Sequence, residues 1–153
     1  MGMAYSLVAR WVSTLDSTRL TKNGMAQIKI FGLREHLEGR REKLSQVLHG
    51  CAMEALGLPE EKRFHRFFYL EPEDFIFPAD RSSAYMILEI SMFEGRTAET
   101  KRLLITSIFD RFERELGMSP QDVEITIHET PKANWGIRGK PGDELALNYK
   151  VEK

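Results

Sequence analysis

The sequence predicts an α+β fold in which two tandem β-α-β units form a four-stranded sheet with two helices on one face. Three observations carry that prediction. The order strand, Glu-Gly-Arg, helix, Leu-Gly, strand runs twice, with Glu38-Gly39-Arg40 and Leu56-Gly57 in the first pass and Glu94-Gly95-Arg96 and Leu116-Gly117 in the second. Self-similarity of this kind points to an internal duplication. Right-handed crossovers then set both helices on the same side of the sheet. Finally, the second strand offers Phe64, Phe68 and Leu70 on one side and Phe67 and Tyr69 on the other. Both sheet faces are therefore expected to be apolar, with partner subunits as the natural cover for the face without helices.

Each element has its own signal. Residues 27–33 are short, β-branched and roughly alternating, which reads as a strand. Leu44, Val47, Leu48, Cys51, Ala52, Ala55 and Leu56 repeat at three-and-four spacing, giving an amphipathic helix stopped by Gly57 with Pro59 beyond it. Residues 64–70 form an aromatic strand, and the acidic and aromatic stretch 71–80 reads as a long loop. Residues 84–90 begin the second unit as a buried strand. Leu104, Ile105, Ile108, Phe109, Phe112 and Leu116 mark a second helix about one turn longer than the first, with Asp110 and Arg114 as an exposed pair four apart. Ser119-Pro120 turns the chain into a half-buried strand over 123–128.

The 153 residues, 42% hydrophobic and 29% charged, suit one domain with a real core. We expect it to span 25–153, with halves at about 26–70 and 84–130. Residues 1–24 lack periodicity and read as a flexible extension or an upstream start ahead of Met25; Arg10 interrupts their only apolar run, so no secretory leader is expected. With 22 basic against 23 acidic residues, the chain offers no field for nucleic acid or an anionic membrane. One cysteine excludes an internal disulfide framework and fits a reducing, cytoplasmic setting. Cys51, inside the helix stripe, reads as a buried structural thiol. His36, His49, His65 and His128 have no metal-ligand spacing and read as surface or sheet histidines, so neither metal nor cofactor is expected.

Several short motifs, in this order, carry a resemblance: Leu56-Gly57-Leu58-Pro59, Arg81-Ser82-Ser83-Ala84, Gly95-Arg96, Gly117-Met118-Ser119-Pro120-Gln121-Asp122-Val123, Asn134-Trp135-Gly136 and Arg138-Gly139. Over residues 26–139 the chain resembles the tautomerase superfamily, a macrophage migration inhibitory factor-like fold, and within it the malonate semialdehyde decarboxylase-like branch. The resemblance implies a trimer and a pocket between subunits that handles a small carbonyl or enol compound, with keto-enol tautomerisation or decarboxylation as the reaction. It implies an N-terminal proline nitrogen as acid or base, because a free α-amino group titrates near 8 and burial lowers it toward neutrality. It also implies an arginine that binds the substrate by paired charge-assisted bonds.

Carried over residue by residue, the proline falls on Ala26, the arginine on Arg96 and a pocket-wall tryptophan on Trp135. If translation starts at Met1, the nitrogen of Ala26 is an amide without basicity; if it starts at Met25, loss of that Met exposes a primary amine. Lys62, Glu94 and Phe64 are the expected substrate contacts. The branch's aspartate is Lys62 here and its second arginine is Glu94, so both signs are reversed. A carboxylate at 94 would repel a substrate carboxylate by roughly 1–4 kcal/mol at about 4 Å, which argues against anionic semialdehydes. The same reversal suggests a swapped Lys62–Glu94 ion pair. Loss of the proline leaves a second reading open, a non-catalytic trimer that binds a ligand or serves structure. The aromatic run Phe75-Ile76-Phe77 could pack on a neighbouring subunit or roof the pocket.

Overall fold

The computed structural model describes residues 25–146. The expected extension 1–24 and the last residues of the expected domain lie outside these. Strand β1 (Ala26–Leu33) is followed by one helical turn and then by helix α1 (Arg41–Leu56) and strand β2 (His65–Leu70). The second unit comprises β3 (Met86–Phe93), α2 (Ala98–Leu116) and β4 (Val123–Thr130). A small hairpin, β5 (Gly136–Ile137) and β6 (Lys140–Pro141), closes the described chain with a short helical turn. The strand order is β2-β1-β3-β4. β1 runs parallel to β2, β3 parallel to β4, and the two units meet where β1 pairs antiparallel with β3. This is the duplicated β-α-β arrangement that the sequence predicts.

Local chemistry explains the boundaries. Thr97 caps α2 by accepting a hydrogen bond from the Thr100 amide at 3.1 Å. Both helices end on a glycine in the left-handed region, Gly57 at φ 69° and Gly117 at φ 65°. That conformation costs residues with a Cβ, which is why Leu-Gly recurs. The repeated tripeptide, by contrast, is not equivalent in the two halves. Gly95 has φ 113°, whereas Gly39 is not among the positive-φ glycines, and a helical turn (Arg34–Leu37) occupies the first connection only.

The core lies between the helices and one face of the sheet. Ile28 and Ile30 of β1 and Met86, Leu88, Ile90 and Met92 of β3 pack against Leu44, Leu48 and Cys51 of α1 and Leu104, Ile108 and Phe112 of α2, all almost fully buried. Cys51 is a buried thiol whose pKa burial raises, as expected of a structural cysteine.

The open face corrects an expectation. Its register brings Lys29 opposite Glu89 and Arg66, Gln27 opposite Ser91, and Ser91 opposite His128. Apolar residues stand at its ends, where Phe31 stacks on Phe68 at 4.6 Å and faces Ile87 at one, and Phe64 and Phe93 lie at the other. The face is thus mixed rather than apolar, because the aromatic alternation of β2 is confined to an edge strand while the central strands place charged and hydroxyl residues outward.

The second half is tied to its inter-unit loop by a buried carboxylate. Asp122, 7% exposed, accepts from the Ser82 amide at 2.8 Å and from the Ser82 hydroxyl at 2.6 Å. These charge-assisted bonds join the β2–β3 loop to the turn before β4. Asp122→Ala is therefore expected to destabilise the fold by about 2 kcal/mol and Ser82→Ala by less, read as shifts in urea midpoint at constant m. Equal midpoints for Asp122→Ala and the parent would contradict this.

Candidate active site

The strand registers bring the site residues expected from sequence to one end of the sheet. Ala26 opens β1, is 4% exposed and pairs with Met92 near the end of β3. β2 starts at that same end, since Ile28 pairs with His65 and its amide donates to the Phe64 carbonyl at 2.9 Å. Lys62 precedes Phe64 in the segment entering β2. Glu94 follows β3 directly and its amide donates to Thr130 at the end of β4. Trp135 lies five residues beyond β4 and meets the Phe93 ring edge-on at 5.1 Å. Lys132 sits over the same ring at 6.0 Å.

Arg96 is half-buried and donates to the Leu56 carbonyl at 3.1 Å, the last carbonyl of α1. A guanidinium there meets the negative end of the helix dipole. Burial lowers its pKa, with the nearby charge of Glu129 acting in the opposite direction. Arg40, its counterpart in the first half, is exposed. Among the described residues no ion pair joins Lys62 to Glu94 within one chain.

Two charged residues of this end were not singled out from sequence. Lys101 of α2 and Glu129 of β4 form an ion pair at 2.6 Å, each about a quarter exposed. Both carried a signal: Lys101 falls on the spacing of the buried stripe Leu104, Ile108, Phe112, and Glu129 continues the inward positions Val123, Ile125 and Ile127. The row Ala26, Met92, Glu129 runs straight across the sheet on its helix side. On the open side lie Phe93 and the buried Thr130 hydroxyl, which has no hydrogen-bond partner among the described residues. Among the described residues no group of three or more His, Cys, Asp or Glu could hold a metal. A separate groove lined by Leu33, Arg34, Glu38, Leu70, Glu71 and Pro72 is at the far end of the sheet.

Two histidines read as surface or sheet residues are instead drawn together under the helix face. His49 is 2% exposed and its Nε2 hydrogen-bonds with the Glu60 carbonyl at 2.9 Å, while His65 Nδ1 hydrogen-bonds with the Ser45 hydroxyl at 2.7 Å. Their rings meet edge-on at 6.0 Å. Burial, with the charges of His49 and Arg63, pushes His65 down to about 4.

A family model for tautomerase enzymes matches residues 62–138, half of the chain. The chain belongs to the tautomerase family. The tautomerase YusQ of Bacillus subtilis (strain 168), a probable assignment for that protein, is 28% identical over 104 residues, which are 63% of this chain and 80% of the relative. The 2-hydroxymuconate tautomerase of Comamonas testosteroni is 37% identical over 57 residues, 90% of that protein but only 37% of this chain. A whole relative thus matches little more than one β-α-β unit. Malonate semialdehyde decarboxylase shares the fold at a TM-score of 0.70 with 23% identity, covering 82% of this chain and 99% of the other. A fused 4-OT asymmetric trimer does so at 0.70 with 21% identity, covering 78% and 98%. No helix among the described residues is long and apolar enough to cross a membrane.

The depressed His65 sets a pH dependence for the stability of this family member. An unfolded histidine gains its proton near 6.5 whereas the folded one stays neutral to about 4, so the unfolded state binds more protons between those values. Stability is thus lost as pH falls from 6.5 toward 4, by up to about 3 kcal/mol from this group. His65→Gln should flatten that part of a stability-against-pH curve measured by urea unfolding. An unchanged slope would place the proton uptake elsewhere, His36 being the other histidine that burial holds low.

Proposed function

We propose that this tautomerase family member catalyses keto-enol tautomerisation, or a related proton transfer, on a small carbonyl or enol compound, acting as a homotrimer without cofactor. The observation that carries the reading is the convergence of Ala26, Arg96 and Trp135 on one end of the sheet, in a chain whose family model covers Arg96 and Trp135. On this reading residues 25–153 form the catalytic domain, and residues 1–24 are either an extension or lie upstream of a start at Met25, the second being what a free amine on Ala26 requires.

The chemistry asks for one group that both gives and takes a proton. A primary amine on Ala26 serves this purpose: the neutral nitrogen takes the enol hydroxyl proton and, as ammonium, delivers a proton to the substrate carbon, the carbonyl forming as the carbon–carbon double bond is spent. Burial at the start of β1 favours the neutral amine over ammonium. Arg96 stays charged and stabilises negative charge developing on the substrate oxygen. Trp135 and Phe93 wall the site against water, and Phe64, Lys62 and Glu94 contact the substrate from the open side. The reversed charges at 62 and 94 favour a substrate that is not a simple carboxylate.

A second reading, a trimer that binds a ligand without turning it over, is favoured by one observation: Arg96 already donates to the Leu56 carbonyl, a structural task. The two readings separate in an assay of ketonisation of phenylenolpyruvate, a carboxylate, and of an enol without a carboxylate. Protein beginning at Ala26 is expected to exceed buffer, and the 153-residue chain, whose residue 26 carries an amide nitrogen, to match it. Arg96→Ala should lower the rate about 100–1,000-fold, and its urea midpoint should be measured alongside because it also loses the bond to Leu56. No rate above buffer from the Ala26 form would favour the non-catalytic trimer.

A further inference from the structure

The turn that follows β4 holds a lysine against the wall of the candidate site. Residues 131–135 are braced by backbone bonds: the Asn134 amide donates to the Pro131 carbonyl at 2.9 Å, the Trp135 amide to the Lys132 carbonyl at 3.1 Å, and the Gly142 amide to the Trp135 carbonyl at 2.6 Å. Glycine at 142 permits that closure, since a Cβ there would come within 2.5 Å of the Lys132 carbonyl and 3.3 Å of the Phe93 ring. The turn therefore presses onto Phe93. The Lys132 ammonium lies 6.0 Å from the centre of that ring, and Trp135 meets the ring edge-on.

Two groups of this corner are left unanswered by the fold. Lys132 is half-buried, yet among the described residues no carboxylate lies within ion-pair distance of it. Lys101, at the same end of the sheet, is by contrast held by Glu129. Charge drawn partly out of water is ordinarily paired. Thr130, opposite Phe93 in the β3–β4 register, carries the second such group, a buried hydroxyl without a hydrogen-bond partner among the described residues. Buried hydroxyls are ordinarily met by a protein group, a water or a ligand. One anionic group answers both, pairing with the ammonium and accepting from the hydroxyl through charge-assisted bonds.

We propose that Lys132 and Thr130 form a subsite for a substrate carboxylate, so that the site takes an enol or ketone carrying a carboxylate beside its carbonyl and orients it with that group against Phe93. Glu94, exposed and one residue beyond Phe93, opposes an anion lodged on its own side, and Lys132 supplies the alternative place for one. This rests on the proposed function only for the reaction that follows binding; the contact itself is read with a ketone that needs no turnover.

Equilibrium dialysis of the 153-residue chain against phenylpyruvate and against phenylacetone, the same skeleton with a methyl in place of the carboxylate, tests it. The parent is expected to hold phenylpyruvate roughly tenfold more tightly, a preference that falls as salt is added. Lys132→Gln should weaken phenylpyruvate about tenfold and leave phenylacetone unchanged, and Lys132→Arg should keep most of the parent's preference. Thr130→Val should weaken phenylpyruvate about threefold without lowering the urea midpoint, because its hydroxyl has no bond among the described residues to lose. A preference that depends on Lys132, found in protein that turns over no enol, would support the subsite while counting against the tautomerase reading. Equal weakening of both ligands by Lys132→Gln, the result expected if its stem merely packs on Phe93, would overturn the proposal. So would a parent that binds the two alike, or binds neither.

Discussion

Antiparallel pairing of β1 with β3, Ala26 opposite Met92 and Gly32 opposite Met86, is the constraint on which the rest of the molecule depends. Each β-α-β unit alone would leave one flank of its first strand unpaired and its apolar face half covered. Joining the units through their first strands satisfies both backbones and merges Ile28 and Ile30 with Leu88 and Ile90 into one layer beneath the helices. Because the pairing is antiparallel, the start of β1 and the end of β3 meet. The start of β2 and the end of β4 follow through their parallel registers. That single geometric fact gathers Ala26, Phe64, Glu94, Arg96 and Trp135, which are scattered over more than a hundred residues of sequence. A one-residue slip in the register would turn Ile28 and Ile30 outward and dissolve core and site together.

Duplication explains the scaffold but not the site. Both units end their helices on a left-handed glycine, and a half-length relative aligns with little more than one unit. The repeated Glu-Gly-Arg shows where the copies part. Ahead of α1 it follows a helical turn and leaves Arg40 in solvent, whereas ahead of α2 it bends at Gly95 and turns Arg96 onto the end of α1. The same three residues therefore serve as a surface turn in one half and as an electrostatic element in the other. The tripeptide was legible in the sequence; its asymmetry was not, because it arises from the helix that packs beside it.

The same limit governs what else could be read. Helices α1 and α2 and their terminators announce themselves through local spacing, since caps and apolar stripes are short-range features. Interactions that close over tens of residues do not: Ser82 with Asp122, Ser45 with His65, and Lys101 with Glu129. His49 and His65 look like unrelated histidines until α1 lies over β2. The open face was misjudged for a related reason. The alternation of β2 is plain, but strand order decides which strands dominate a face, and β2 is placed at the edge where its aromatics cover little.

Electrostatics at the site then follow from distances across the sheet. Glu129 is two strands away from Ala26, about 10 Å, and its charge is met at 2.6 Å by Lys101 and also acts on Arg96. A carboxylate so compensated exerts little pull on a group at position 26, since two opposite charges side by side largely cancel at a distance several times their separation. The dominant influence on an amine there is the loss of water, Ala26 being 4% exposed. In a chain that begins at Ala26, as the proposed function requires, desolvation would disfavour ammonium and move the amine toward neutrality, the range in which one nitrogen both accepts and donates a proton. In such a chain the packing that buries the first residue of β1 against the helices would also favour the neutral form of its nitrogen.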